Sequence, residues 1–180
     1  KTAYEIHERL VGSEMCIRDR YKAVMRSEKR WKIPPYVLMS FVYQESSFKS
    51  DARPERDKLL GFIPWFRPST AVGYSQALTM TWDDYKDETG NSGANRKDFK
   101  DSADFIGWYA SKGYYQGFER TDARSLYLAY HEGYGGFKKK TYRKKQWLVK
   151  VSDRVQARST KYQQQYCCLL YTSPSPRDAH

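Results

Sequence analysis

The sequence predicts an all-α fold, on three observations. Apolar residues recur at three- and four-residue spacing in one segment after another. Pro, Gly and Asp stand where helices start and stop. No segment alternates apolar and polar residues over the length of a strand. With 180 residues, 39% hydrophobic and 16% aromatic, and with neither an internal repeat nor a linker, the economical expectation is one domain with its own core.

Residues 21–32 read as a basic helix marked by Val24, Met25 and Trp31. Pro34-Pro35 ends it, and Pro35, with its fixed φ and no N–H to lose, suits the start of a helix that runs on from Tyr36. In that second helix Val37, Leu38, Phe41 and Val42 form one stripe, and the positions that continue it are Glu45 and Phe48. Two readings follow. The helix continues and a carboxylate sits where a core residue belongs, or the helix has ended by Gln44 and Glu45 is solvated on a turn. The first has a chemical consequence. A carboxyl removed from water holds its proton to higher pH, because only its charged form loses much solvation, and a general acid needs that proton.

Beyond Phe48 the pattern dissolves into a long Pro-bearing insert over residues 53–70, which carries Trp65 and Phe66. Gly73-Tyr74-Ser75-Gln76 follows, then a helix over 77–88 with Leu78, Trp82 and Tyr85 at helical spacing and Gly90 at its C-terminus. Asp101 is expected to cap a helix over 104–115, whose Phe105, Ile106, Trp108 and Tyr109 make a thick apolar face. Asp122 is expected to cap a helix over 123–132 with Leu126, Tyr127 and Tyr130 on one side. Gly133, Gly135 and Gly136 then break the chain. A last helix is expected over 141–166, with Trp147, Leu148, Val151 and Val155 turned inward.

The two ends read differently. Residues 11–19 and 168–178 can be back-translated into DNA segments of which one, on the opposite strand, contains the other, and the shared DNA resembles a transposon-type sequencing adapter. Residues 1–20 and 167–180 are therefore read as artefactual or chimeric tails around a domain at 21–166, and are set aside from fold reasoning. Cys16 and Cys168 fall in the adapter-like stretches and Cys167 adjoins one, so no disulfide framework or Cys metal site can be argued. The formal charge is +11. Residues 1–20 hold four basic and four acidic side chains and residues 167–180 one of each, so the whole net charge lies in the middle, which should prefer polyanionic surroundings. Lys138-Lys139-Lys140 and Arg143-Lys144-Lys145 concentrate it into six cations over eight positions, either a solvated face or a hold on an anionic wall polymer or membrane surface. No apolar run is long enough to cross a bilayer.

Glu45-Ser46, Gly73-Tyr74-Ser75-Gln76 and Ala129-Tyr130-His131-Glu132-Gly133 stand in chain order, each in a helical or loop setting of its own. Together they resemble the goose-lysozyme-like lytic transglycosylases of the soluble-lytic-transglycosylase (SLT) type, whose pattern is Glu-Ser, then Gly-Leu-Met-Gln, then Ala-Tyr-Asn. The resemblance covers residues 31–166. It implies a lysozyme-like helical domain of the periplasm or cell envelope that cleaves the MurNAc–GlcNAc bond of peptidoglycan without water and leaves 1,6-anhydro-MurNAc ends. Glu45 would be the acid and then the base. Ser46 would help orient the saccharide, the stretch Gly73, Tyr74, Ser75 and Gln76 would line the cleft opposite, and the Tyr130 hydroxyl would steady Glu45. His131 stands where the family has Asn, and is either a donor toward the sugar or, the favoured reading for a lone His, a solvated side chain. Tyr74-Ser75 replaces Leu-Met, and the 53–70 insert separates the first two motifs further than is usual. Trp65 and Phe66 on it are expected to form a lid.

Proton transfer alone calls for no metal or organic cofactor, and the expected partner of the monomer is the glycan strand. A usual glycosidase needs two carboxylates; an internal hydroxyl nucleophile removes the need for the second, for which Asp51 and Glu132 are the rivals. Other readings are a hydrolytic muramidase of the same fold, told apart by product mass, a catalytically dead glycan-binding module, and a basic nucleic-acid binder. Against the last, the cations gather late in the chain, away from most aromatics, and no nucleic-acid-binding motif is present.

Overall fold

The computed structural model describes residues 14–52 and 70–172, with side chains over 19–52 and 70–165. It is all-α, with helices α1 (Glu14–Trp31), α2 (Pro35–Ser46), α3 (Thr79–Thr89), α4 (Phe99–Tyr114), α5 (Ala123–Lys138) and α6 (Gln146–Thr172), and a single 3-10 turn at Thr141–Lys144. Among the described residues extended pairing is limited to one isolated antiparallel bridge, Val72 with Ala77. The insert residues Trp65 and Phe66 lie outside the described residues.

Helix α2 is the hub. It packs against α1, α4, α5 and α6, and its Val37, Leu38, Phe41 and Val42 are completely enclosed. Such a helix is buried on several sides rather than along one stripe. Pro35 opens it as expected. Around it α1 and α4 approach closely enough that a Cβ on Gly107 would fall 2.3 Å from Ser27 Oγ and 2.7 Å from Trp31. Ser27 Oγ donates to Ala103 O at 2.8 Å across that contact. Asp104 ties three helices together, accepting from Trp31 Nε1 at 2.8 Å and from Tyr85 OH at 2.9 Å.

The structure moves several boundaries. Helix α1 starts at Glu14 rather than Tyr21. The N-cap of α4 is Asp98, whose carboxylate accepts from the Asp101 N–H at 3.0 Å. Asp101 lies inside the first turn and binds back to Asn95 N–H at 2.9 Å. Two acids three residues apart can both serve as caps, and the loop before the helix decides between them. Gly133 breaks the helical path as expected, at φ 70, ψ 157, so α5 is two helical stretches joined across a kink, the second ending at Lys138. The chain then turns through Lys140, at φ 56, before the 3-10 segment, and α6 begins only at Gln146. Asp122 caps α5, accepting from Ser125 N–H at 2.9 Å, and Gly90 ends α3 in the left-handed conformation.

Candidate active site

Helix α2 continues through Ser46, so Glu45 sits in its last turn and not on a solvated turn. Ser47 closes the helix at φ 49, its N–H bonded to Tyr43 O at 2.9 Å, and Phe48 follows at φ 63. Two successive non-glycine residues in the left-handed region cost of order 1–3 kcal/mol each and survive where packing on both sides fixes them, commonly at functional sites.

The Glu45 side chain enters a niche walled by rings. Phe41, one turn earlier, meets Tyr127 edge-on at 5.2 Å and Tyr130 at 5.7 Å, and Tyr109 packs against Tyr130 at 5.1 Å. Glu45 is half-buried as a residue, while its Oε1 is sealed from solvent and has no hydrogen-bond partner. Burial pushes the carboxyl up to about 7, against the pull of a hydrogen bond from the Tyr127 hydroxyl. Both Tyr127 and Tyr130 are held well above the usual phenol range, first by burial and then by the Glu45 charge, so both stay neutral donors.

Opposite lies the loop after the insert. Gly73 adopts φ 82, and a Cβ there would fall 1.9 Å from Arg96 O; its N–H reaches Ala52 O at 3.1 Å. Gln76, itself at φ 49, locks the turn by donating from Nε2 to Ala52 O at 2.8 Å and to Gly73 O at 2.7 Å. Ser75 O accepts from Tyr130 OH at 2.6 Å, which joins this loop to the ring wall around Glu45. Among the described residues three buried side-chain oxygens lack a partner: Glu45 Oε1, Ser75 Oγ and Gln76 Oε1. Each is an uncompensated desolvation of about 1–3 kcal/mol, and all three belong to the motifs singled out in the sequence. Gly73→Ala is expected to destabilise the fold by about 3 kcal/mol or more, from left-handed strain and the clash with Arg96 O, read as a lower midpoint in urea denaturation.

The remaining sequence-predicted residues sort themselves by geometry. Ser46 is buried and its Oγ donates to Val42 O at 3.0 Å, within its own helix. Tyr74 is buried and packs on Phe99 at 5.3 Å, with the Arg20 guanidinium nearby. Tyr130 donates to Ser75 O in the loop, and the hydroxyl that pulls the Glu45 carboxyl down is that of Tyr127, one turn away. His131 is not solvated. It lies between Tyr127 at 5.8 Å and Trp147 at 5.5 Å, and burial brings its imidazole down to about 4, leaving it neutral near pH 7. Glu132 is tied up: Lys145 Nζ lies 2.6 Å from Oε1 and Thr141 Oγ1 bonds Oε2. Burial would raise its carboxyl, but those two partners bring it below the ordinary value. Asp51 is exposed on the turn after α2.

Tyr127 is the neighbour of Glu45 that sequence reasoning passed over, because Leu126, Tyr127 and Tyr130 read together as one side of a helix. A phenol three residues from Tyr130, on a face opposed to a stripe ending in Glu45, was the available signal. Tyr127→Phe is expected to raise the carboxyl of Glu45 further, since the lost hydrogen bond favours the charged form, and to move the alkaline limb of any Glu45-dependent pH–rate profile to higher pH.

An acid buried beside aromatic rings, and joined through Tyr130 to a loop with unpaired side-chain oxygens, is suited to giving and retaking a proton on a hydroxyl-rich ligand. The family model described as the transglycosylase SLT domain matches residues 16–168. The chain belongs to that family. It is an SLT-type lytic transglycosylase domain with an all-α, lysozyme-like fold, and the SLT family acts on peptidoglycan, in the periplasm or cell envelope. No curated protein and no solved structure matches the chain. Among its described residues no helix is long and apolar enough to cross a membrane.

Proposed function

We propose that this SLT domain, residues 21–166, cleaves the MurNAc–GlcNAc bond of peptidoglycan in the cell envelope without water, with Glu45 as acid and then base. Protonated Glu45 gives its proton to the glycosidic oxygen and the bond from MurNAc C1 to that oxygen breaks. The carboxylate then removes the proton from the MurNAc C6 hydroxyl as its oxygen closes on C1. The products are a free GlcNAc hydroxyl and a 1,6-anhydro-MurNAc end, and Glu45 is protonated again. A carboxyl near 7 is matched to both halves at neutral pH, because neither form is scarce.

The observation that carries this reading is the solitary burial of that carboxyl. Desolvation and Tyr127 account for its shift, and among the described residues no neighbouring carboxylate contributes. A retaining glycosidase would hold a second carboxylate about 5–5.5 Å away, where its charge would act strongly on the first. The rival Glu132 is paired with Lys145 and Thr141. In this reading Ser75 Oγ and Gln76 Oε1 receive sugar hydroxyl or amide donors, Tyr127 and Tyr130 hold the acid and the loop in register, and the roles expected of Ser46 and Tyr74 shift to these neighbours. His131, neutral beside Tyr127, is a packing neighbour of the niche.

Digestion of purified sacculi by the protein, followed by mass analysis of the fragments, is the test. Muropeptides one water lighter than the hydrolysis products are expected. Fragments carrying the added water would assign the domain to hydrolysis instead, and undigested sacculi would remove the enzymatic reading.

A further inference from the structure

We infer that the basic segment 138–145 is a second recognition element of the same site, which takes the carboxylates of the peptide stems on the strand lying across Glu45. The inference rests on the activity proposed above.

Helix α5 ends in Lys138, the chain turns sharply at Lys140, and the 3-10 turn follows, so Lys138-Lys139-Lys140 and Arg143-Lys144-Lys145 share one short stretch of surface. All six are exposed. Among the described residues only Lys145 of the six has an ion-pair partner, Glu132. That pair, with the Thr141 hydrogen bond to the same carboxylate, pins the turn against α5, so the cations stand on a fixed platform and not on a loose tail.

Position relative to Glu45 identifies the occupant. Phe41, one turn before Glu45, packs on Tyr127 at 5.2 Å, Tyr127 packs on His131 at 5.8 Å, and the residue after His131 is the Glu132 that holds Lys145. The platform therefore stands next to the ring wall of the niche. A polyanion that meets it while the site is filled is the substrate strand itself, and on that strand the negative charge is carried by stem carboxylates. A lipid surface fits less well. Membrane-seated basic segments present apolar side chains beside their charges, whereas Phe137, Tyr142 and Trp147 are packed onto the core and, among the described residues, the exposed large hydrophobics are Tyr21, Leu78, Met80, Tyr114 and Tyr115. Lysine, a compact charge on a flexible stem, suits carboxylates whose spacing along the strand varies.

The test compares wild type with the triple variant K138E/K139E/K140E on two substrates, stem-bearing glycan strands and the same strands stripped of stems by an amidase, with the lactyl carboxyls so freed capped as methylamides. These positions are exposed and contribute nothing to the core, and an unchanged circular dichroism spectrum and melting temperature would show the variant folded. For stem-bearing strands KM is expected to rise roughly tenfold at low salt with kcat unchanged, for stripped strands neither is expected to move, and K138R/K139R/K140R is expected to behave as wild type. Salt is expected to erase the wild-type preference for stems. Equal loss on both substrates, or no loss on either, would overturn the inference. If wild type cleaves neither strand, the proposed activity fails, and equilibrium binding of the two strands to the same proteins still decides the platform. Binding to phosphatidylglycerol vesicles with no discrimination between strands would assign it to a membrane surface instead.

Discussion

Glu45→Gln is expected to lower the rate of strand cleavage at least about 10⁴-fold while the helices remain intact. The amide has nearly the shape of the acid and can still accept from Tyr127, but it has no proton to release and no charge with which to take one back. One positioned proton transfer contributes about 10²–10⁴-fold to a rate. The proposed reaction uses the same oxygen pair in both directions, so the upper end of that range is the floor here. Single-turnover assays on glycan strands, with far-UV circular dichroism as the fold control, give the answer. A variant within tenfold of wild type would place the acid elsewhere. A purely glycan-binding domain would keep strand affinity and show no turnover to lose.

The course of the helices was legible because their punctuation is local. Pro35, Gly90 and Asp122 act within one turn of where they stand, and all three do what the sequence led one to expect. The departures arise where the deciding contact is distant in sequence. Asp98 and Asp101 are equivalent caps until Asn95 offers its N–H to Asp101. The glycines at 133, 135 and 136 read as a break, and Gly133 makes one, but the helix resumes beyond it as far as Lys138. The carboxylate at the end of an apolar stripe was visible at Glu45. What the sequence could not supply was the ring wall, because Phe41, Tyr109, Tyr127 and Tyr130 come from three helices. For the same reason His131 read as solvated: Trp147, which covers it, arrives from α6. Six cations over eight positions were evident, but their closeness to the niche follows only from the pairing of Lys145 with Glu132, thirteen residues back.

The burial that would make Glu45 a usable acid should also tax the stability of the protein, with a definite sign. In the unfolded chain the carboxyl titrates near 4.5, and in the folded protein near 7. Below 4.5 both states carry the proton and the residue makes no difference. Between the two values the folded state binds more protons than the unfolded one, so stability falls as pH rises. Above 7 the loss is complete, at about 3 kcal/mol for a separation of this size, less whatever the accessible edge of Glu45 recovers by solvation. Gln carries no such charge, so Glu45→Gln is expected to match wild type near pH 4 and to melt about 5–10 °C higher near pH 8. Catalytic rate should follow the same ionisation, declining above about pH 7 as the acid form is lost. Melting curves of both proteins across this range test the claim. A stability difference between variant and wild type that does not change with pH would mean that the carboxyl is solvated, and both the acid and its dry niche would have to be given up together.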